Sequence, residues 1–166
     1  MPASPSAPAV TLRPHQPGDI GWIISRHGAL YAAEWGWNIE FEALVAEIGA
    51  QFIRQFRPGL ECCLIAEAGG ERLGCVAVVR VDDSTAKLRL LLVEPAARGL
   101  GLGQRLVAAA EDFARGAGYS QMTLWTQSCL LAARRLYASR GWRLGESEAV
   151  HAFGVDLVSE TWAKPL

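Results

Sequence analysis

The segment Arg98-Gly99-Leu100-Gly101-Leu102-Gly103 carries the clearest chemistry in this chain: three glycines at alternate positions behind an arginine, between an apolar run and an amphipathic pattern. A helix that starts there leaves its first N–H groups unpaired and its N-terminus partly positive, and residues without side chains let an oxyanion approach those groups. The turn is suited to an anion such as a pyrophosphate. A nucleotide-triphosphate loop is excluded because Gly103 is followed by Gln104 and Arg105 rather than by Lys and Ser or Thr. A dinucleotide fingerprint fails as well, since Gln104 stands where its third glycine belongs and the following strand ends Trp125-Thr126-Gln127 with no acidic residue.

The elements around this turn follow from spacing. Lys87 to Val93, with its unbroken Leu90-Leu91-Leu92-Val93 run, predicts a strand covered on both faces and stopped by Pro95. Leu102, Leu106, Ala110 and Phe113 predict the apolar face of a helix from Gly101 to Arg115, ended by Gly116 and Gly118. Upstream, Val10–Arg13 predicts a short strand, residues 19–33 a helix, and Ile39 to Pro58 a second helix; Cys62–Glu67 and Leu73–Val81 predict a hairpin about Gly69-Gly70. Downstream come a strand Gln121–Thr126, a helix capped by Ser128 and stopped at Gly141, and two closing strands, Phe153–Val158 and Thr161–Lys164. The order β-α-α-β-β-β-α-β-α-β-β is that of an α/β domain with a mixed, mostly antiparallel central sheet flanked by helices. Residues 1–8, with three prolines and two serines, predict a flexible tail before one domain over 9–166.

Composition narrows the function classes. The chain has 166 residues, half of them apolar, the size of one domain with a full core. Sixteen basic residues against seventeen acidic ones leave no basic stripe for nucleic acid, and no apolar run is long enough to span a membrane. A cytoplasmic location is expected, with no secretion signal at the N-terminus. Cys62, Cys63, Cys75 and Cys129 lack the paired spacing of a zinc site, so no metal is expected and the thiols are read as reduced core residues.

The segment Leu91-Leu92-Val93-Glu94-Pro95-Ala96-Ala97-Arg98-Gly99-Leu100-Gly101-Leu102-Gly103 resembles the signature of the GNAT acetyltransferases, and Leu136-Tyr137-Ala138-Ser139-Arg140-Gly141-Trp142 resembles the same family's second element. The likeness runs from Val10 to Lys164. Within the family, TLWT, AARRLYASRGW and HAFGVDLVSETW are similar to the acetyltransferase domain found behind winged-helix regulators of the MarR type.

The resemblance implies acetyl-CoA as co-substrate and transfer of its acetyl group to a primary amine by direct attack on the thioester. It implies that Leu91, Leu92 and Val93 border the pantetheine arm, and that Arg98, Gly99, Leu100, Gly101, Leu102, Gly103 and Gln104 cradle the pyrophosphate. Tyr137 is implied as the acid that protonates the departing thiolate; on its residue type and helix position alone it reads as a core aromatic. Glu34, expected in the loop between the first two helices on the acceptor side, and His151, expected just before the penultimate strand, are the two candidate bases. Trp35 and Trp37 are read either as walls of an amine pocket or as a plug between helices, and Arg134 and Arg135 either as contacts to the nucleotide or as a solvated face. Many family members carry Asn seven residues before the tyrosine, where this chain has Leu130, so a contact on that side is lost or supplied elsewhere. A small-molecule amine is the favoured acceptor; a protein N-terminus or lysine, and a module that binds acetyl-CoA without turnover, are the alternatives. Oligomeric state is left open, although members of the family often form homodimers.

Overall fold

A computed structural model describes residues 6–166. The expected element order is observed: β1 (Thr11–Pro14), α1 (Asp19–Trp35), α2 (Ile39–Gln55), β2 (Cys62–Ala68), β3 (Glu71–Arg80), β4 (Thr85–Val93), a 3-10 turn at Pro95–Ala97, α3 (Leu102–Gly116), β5 (Gln121–Gln127), α4 (Leu131–Ser139), β6 (Arg143–Ala152) and β7 (Val155–Pro165). Of the expected tail, residues 1–5 lie outside the described residues; residues 6–8 are irregular and exposed, with Pro8 beside Gly69.

The seven strands form one sheet in the order β1-β2-β3-β4-β5-β7-β6, antiparallel at every step except β4 to β5. On one face, Leu102, Leu106, Val107 and Ala110 of α3 and Tyr137 of α4 pack with Val76, Val78, Leu88 and Met122. On the other, Ile20 and Ile23 of α1 and Phe52 of α2 cover Ile65, Cys75, Ala77 and Leu92. The apolar run of β4 is thus covered on both faces, as its composition predicts.

Two features of β4 shape everything that follows. Its parallel pairing with β5 joins only Thr85–Lys87 to Gln121–Thr123, while β5 stays paired with β7 as far as Gln127. From Leu88 onward the β5-facing edge of β4 has no strand beside it, and the sheet parts. The second feature is a bulge. Ala77 pairs with Arg89 and Cys75 with Leu92, so β4 carries one extra residue there, and Leu90 adopts φ 57°. A bulge re-aims the side chains after it. Lys87 and Arg89 alternate with Ala86 and Leu88 and so lie on the α1–α2 face; past the bulge Leu90 and Leu92 lie on that same face, while Leu91 and Val93 turn to the α3–α4 face.

The C-terminal strands differ from the expectation. β6 and β7 form one long hairpin over Arg143–Pro165, not two short strands at Phe153–Val158 and Thr161–Lys164. β6 is an edge strand with little apolar alternation, so its sequence carries no strand signal. Phe153 and Gly154 form the turn, both at positive φ, where Asn-Gly would have announced a tight hairpin. A phenylalanine holds that conformation because its ring is buried against Trp37 and Phe41. Ser128 does not cap α4; Leu130 stands at the N-cap position with no side-chain bond, and α2 stops at Gln55 rather than Pro58.

Candidate functional site

The glycine-rich turn sits where β4 runs out of partners. Gly99 and Gly101 both have φ 78°, a conformation that favours glycine, and a side chain at either would meet no protein atom. Gly101 is the N-cap of α3, and the first main-chain bond after the turn is Arg105 N–H to Gly101 O at 3.1 Å. The amides from Gly99 to Gln104 therefore have no main-chain acceptor among the described residues. A run of open amides at a helix start is an anion cradle by construction.

A cleft of about 730 Å³ opens in front of this turn, lined by Leu91 and Val93 of β4, Gly101 and Gly103 of the turn, and Arg135 and Ser139 of α4. Behind it, on the α1–α2 side of the sheet, lies a smaller cavity of about 140 Å³, with Trp37, Phe41 and Val45 on one wall and Leu88, Arg89 and Trp125 on another. Tyr31, Leu91, Leu130 and Ala133 border both spaces, so the two meet at the parting of β4 and β5.

Two phenols flank that junction. Tyr137 of α4 and Tyr31 of α1 both line the smaller cavity, and neither hydroxyl has a hydrogen-bond partner in the described chain. Among the described residues no fully buried polar side-chain atom is left unpaired, so these hydroxyls reach cavity surface. Burial raises both pKa values: Tyr31 is pushed up to about 12, and Tyr137 is likewise raised well above the usual phenol value. Both hold their protons at neutral pH and can donate.

His27 lies one helical turn before Tyr31 and stacks on it, with ring centroids 5.8 Å apart. Its Nδ1 donates to Ile23 O at 2.8 Å, which leaves Nε2 as the lone-pair nitrogen on the cavity side. Burial lowers its pKa to about 4, against the opposing effect of the Ile23 carbonyl, and the ring is neutral near pH 7.

The candidate residues fall into two groups. Arg98, Gly99, Gly101, Leu102, Gly103, Gln104, Leu91, Leu92 and Val93 all border the larger cleft, and Leu100 is exposed in the turn itself. Leu92 packs its side chain under α1, and the Gln104 side chain bonds Ser139 Oγ at 3.0 Å, so that side chain ties α3 to α4. Arg134 is held by Glu160 at 3.0 Å, while the exposed Arg135 lines the cleft. Trp35 lines the cleft, whereas Trp37 is buried in an aromatic cluster with Tyr31, Phe41 and Phe153.

Both candidate bases are displaced from their expected places. Glu34 lies inside α1, not in the following loop, and pairs with Arg98 at 2.7 Å on the larger-cleft side. His151 lies within β6, exposed, and bonds Asp156 across the hairpin at 2.8 Å; it borders neither cavity. Helix length explains the first difference, because the helix continues to the C-cap Gly36 at φ 70°. The missed hairpin explains the second. His27 and Tyr31 belong to no motif in the sequence, although His27, Tyr31 and Glu34 recur at helical spacing and so share one face.

Comparison with known proteins agrees with this geometry. Residues 26–142 match the family model described as Acetyltransferase (GNAT) family. The chain is 36% identical over 118 residues to an uncharacterized N-acetyltransferase of Schizosaccharomyces pombe, covering 70% of this chain and 72% of that one. It is 30% identical over 148 residues to a mycothiol acetyltransferase of Sanguibacter keddieii, covering 84% of this chain but 45% of that protein. An acetyltransferase from Salmonella typhimurium, solved with its cofactor acetyl-CoA, superposes with a TM-score of 0.72 at 25% identity over 95% of this chain and 94% of that one. With an open-amide turn at the head of α3, a parted β4–β5 pair and the family match spanning both, this chain belongs to the GNAT acetyltransferase family and is an acyltransferase.

Proposed function

We propose that residues 9–166 act as a single domain that transfers the acetyl group of acetyl-CoA to a primary amine on a small molecule. The observation that carries this reading is the junction of the two cavities at Tyr31 and Leu91, directly beside the unpaired edge of β4. In this reading the amides of Gly99 to Gln104, with Arg98 and Arg135 nearby, hold the phosphates, and the free backbone of Leu91 and Val93 holds the pantetheine arm. The acceptor enters from the smaller cavity. Its neutral amine attacks the thioester carbon, the carbon–sulfur bond breaks, and Tyr137 passes its hydroxyl proton to the sulfur. The lost amine proton leaves through water, and a proton taken up from water restores the Tyr137 hydroxyl, so the cycle is proton-neutral. His27 Nε2 is the lone-pair group lining that cavity, and the low basicity that burial imposes on it suits brief acceptance rather than retention of the proton. Tyr31 offers a second O–H at the junction, suited to the oxygen that gains charge during attack.

Four free cysteines and no helix long and apolar enough to cross a membrane, among the described residues, are in keeping with a cytoplasmic enzyme. The likeness to domains carried by MarR-type regulators favours, as the second reading, an acetyl-CoA-binding module without turnover. The test is thermal unfolding and calorimetry with acetyl-CoA, followed by an amine screen read by thiol release. Acetyl-CoA should raise the unfolding midpoint, because it binds the folded state alone. No shift and no heat at saturation would overturn the reading; a shift with no turnover on a broad screen would favour the module.

A further inference from the structure

We infer that the acceptor is an amine that also bears a carboxylate, held by Lys87 and Arg89; this rests on the smaller cavity being the acceptor site. Both residues line that cavity, on the face of β4 opposite Ala86 and Leu88. They are half-buried, and neither has a carboxylate partner or any side-chain hydrogen bond among the described residues. Every other basic side chain is either exposed or paired with an acid: Arg13 and Arg72 with Asp19, Arg26 with Glu94, Arg134 with Glu160, Arg140 and Lys164 with Glu111.

Two withdrawn cations side by side cost solvation and repel each other, and the effect on Lys87 is visible as a lowered pKa, caused first by burial and then by Arg89. An anion entering the cavity relieves both. No Asp or Glu lines the cavity; its remaining groups are apolar or aromatic, with the neutral His27 and the polar Thr126 and Gln127 among them. Such a site repels a polyamine and gives no counter-charge to an ammonium. It gives a guanidinium and an ammonium to a carboxylate, and the aromatic wall of Trp37 and Phe41 to an apolar side chain. An amino acid with an apolar side chain, presenting its neutral amine toward Tyr31 and the cleft, meets all of these.

The experiment compares matched amines in the thiol-release assay: leucine, methionine and phenylalanine, the carboxamide of each, the decarboxylated amine of each, and spermidine. The acids should exceed their amides and decarboxylated amines in kcat/KM by roughly 10- to 100-fold, the usual worth of a charge-assisted hydrogen bond. Arg89→Gln and Lys87→Gln should shrink that ratio toward one, Arg89→Lys should restore part of it, and each variant should keep the thermal shift given by acetyl-CoA. Equal turnover of acid and amide, preference for spermidine, or equal losses on both in the variants would overturn the inference while leaving the acetyltransferase reading in place. If no amine turns over, calorimetry of the same acid–amide pairs on the CoA-saturated protein decides, and absent or equal heats overturn it. Loss of the acetyl-CoA shift in the parent would overturn the reading beneath it as well.

Discussion

Glu111 and the cavity junction are both polar sites in the interior, and they treat their polar groups in opposite ways. Glu111 on α3 is buried and takes hydrogen bonds from Arg140 at 2.7 and 3.1 Å, Trp142 Nε1 at 2.9 Å and Lys164 Nζ at 3.1 Å. Burial raises its pKa, but these donors outweigh that and hold the carboxylate below its ordinary range. Asp19 is built alike, with Arg13, Arg72 and the Gln16 N–H around it. Around the junction and the cleft it opens into, the hydroxyls of Tyr31 and Tyr137, the Nε2 of His27, the cations of Lys87 and Arg89 and the amides of the glycine turn have no partner among the described residues. A buried polar group left unpaired costs stability unless something binds it. The completed sites tie α3 to the end of α4 and to β7, and α1 to β1 and β3, while the incomplete one is the proposed ligand site.

The sharpest way to break this contrast is to remove the centre of the completed site. Glu111→Ala strands Arg140, Trp142 and Lys164 and should cost about 3 to 5 kcal/mol of unfolding free energy, the usual penalty for breaking a buried pair. Denaturant titration measures it, and a loss below about 1 kcal/mol would show that Glu111 is not structural. Tyr137→Phe makes the opposite demand. It should lower kcat roughly 10- to 1,000-fold, about 1.4 to 4 kcal/mol in the barrier, while the unfolding midpoint and acetyl-CoA affinity change little. An unchanged kcat with chemistry rate-limiting would return Tyr137 to the core.

Acid should act on the two regions in separate windows. His27 is neutral in the fold with a pKa near 4 against an ordinary 6.5, so the unfolded state binds the extra proton first. Its contribution is complete above 6.5 and is lost as the pH falls toward 4, by about 1 to 3 kcal/mol at most. Asp19 and Glu111, with folded pKa values depressed, hold their contributions down to the ordinary carboxylate range and lose them below it. Stability measured against pH should show the first slope in the parent and lose it in His27→Phe. Gly101→Val should destabilise by about 1 to 2 kcal/mol, since φ 78° is costly for a side chain, and should also weaken acetyl-CoA binding by crowding the amides. Normal calorimetric binding would move the phosphates elsewhere. The smallest effect belongs to Glu34→Gln, because its pair with Arg98 is half-exposed and screened, and less than about 1 kcal/mol of stability should change. A large fall in kcat for this variant would restore Glu34 as a base.

Read from the chain alone, the elements are legible wherever one residue pattern answers to one local geometry. The glycines at 99 and 101 need positive φ, the leucines of α3 repeat at helical steps, and the run 90–93 is apolar on both faces because the strand is central. The run of strands and helices as far as α4 follows from such local rules, and the glycine-rich turn with it. β6 was not legible, because an edge strand needs no apolar face and Phe153 turns the chain only with Trp37 and Phe41 packed on it.

The acceptor side belongs to the tertiary structure. His27 and Tyr31 on α1, Lys87 and Arg89 on β4 and Tyr137 on α4 are far apart in sequence and each reads locally as core or surface. What brings them to one space is the packing of α1 and α4 beside the early parting of β4 from β5, a property of strand pairing. Glu34 shows the same limit from the other side: its residue type suits a base, and only the reach of α1 over the turn binds it to Arg98 instead. Local sequence determines the conformations that backbone sterics and periodic burial dictate, whereas which polar groups are left without a partner depends on every element packed around them, and the fold alone decides that.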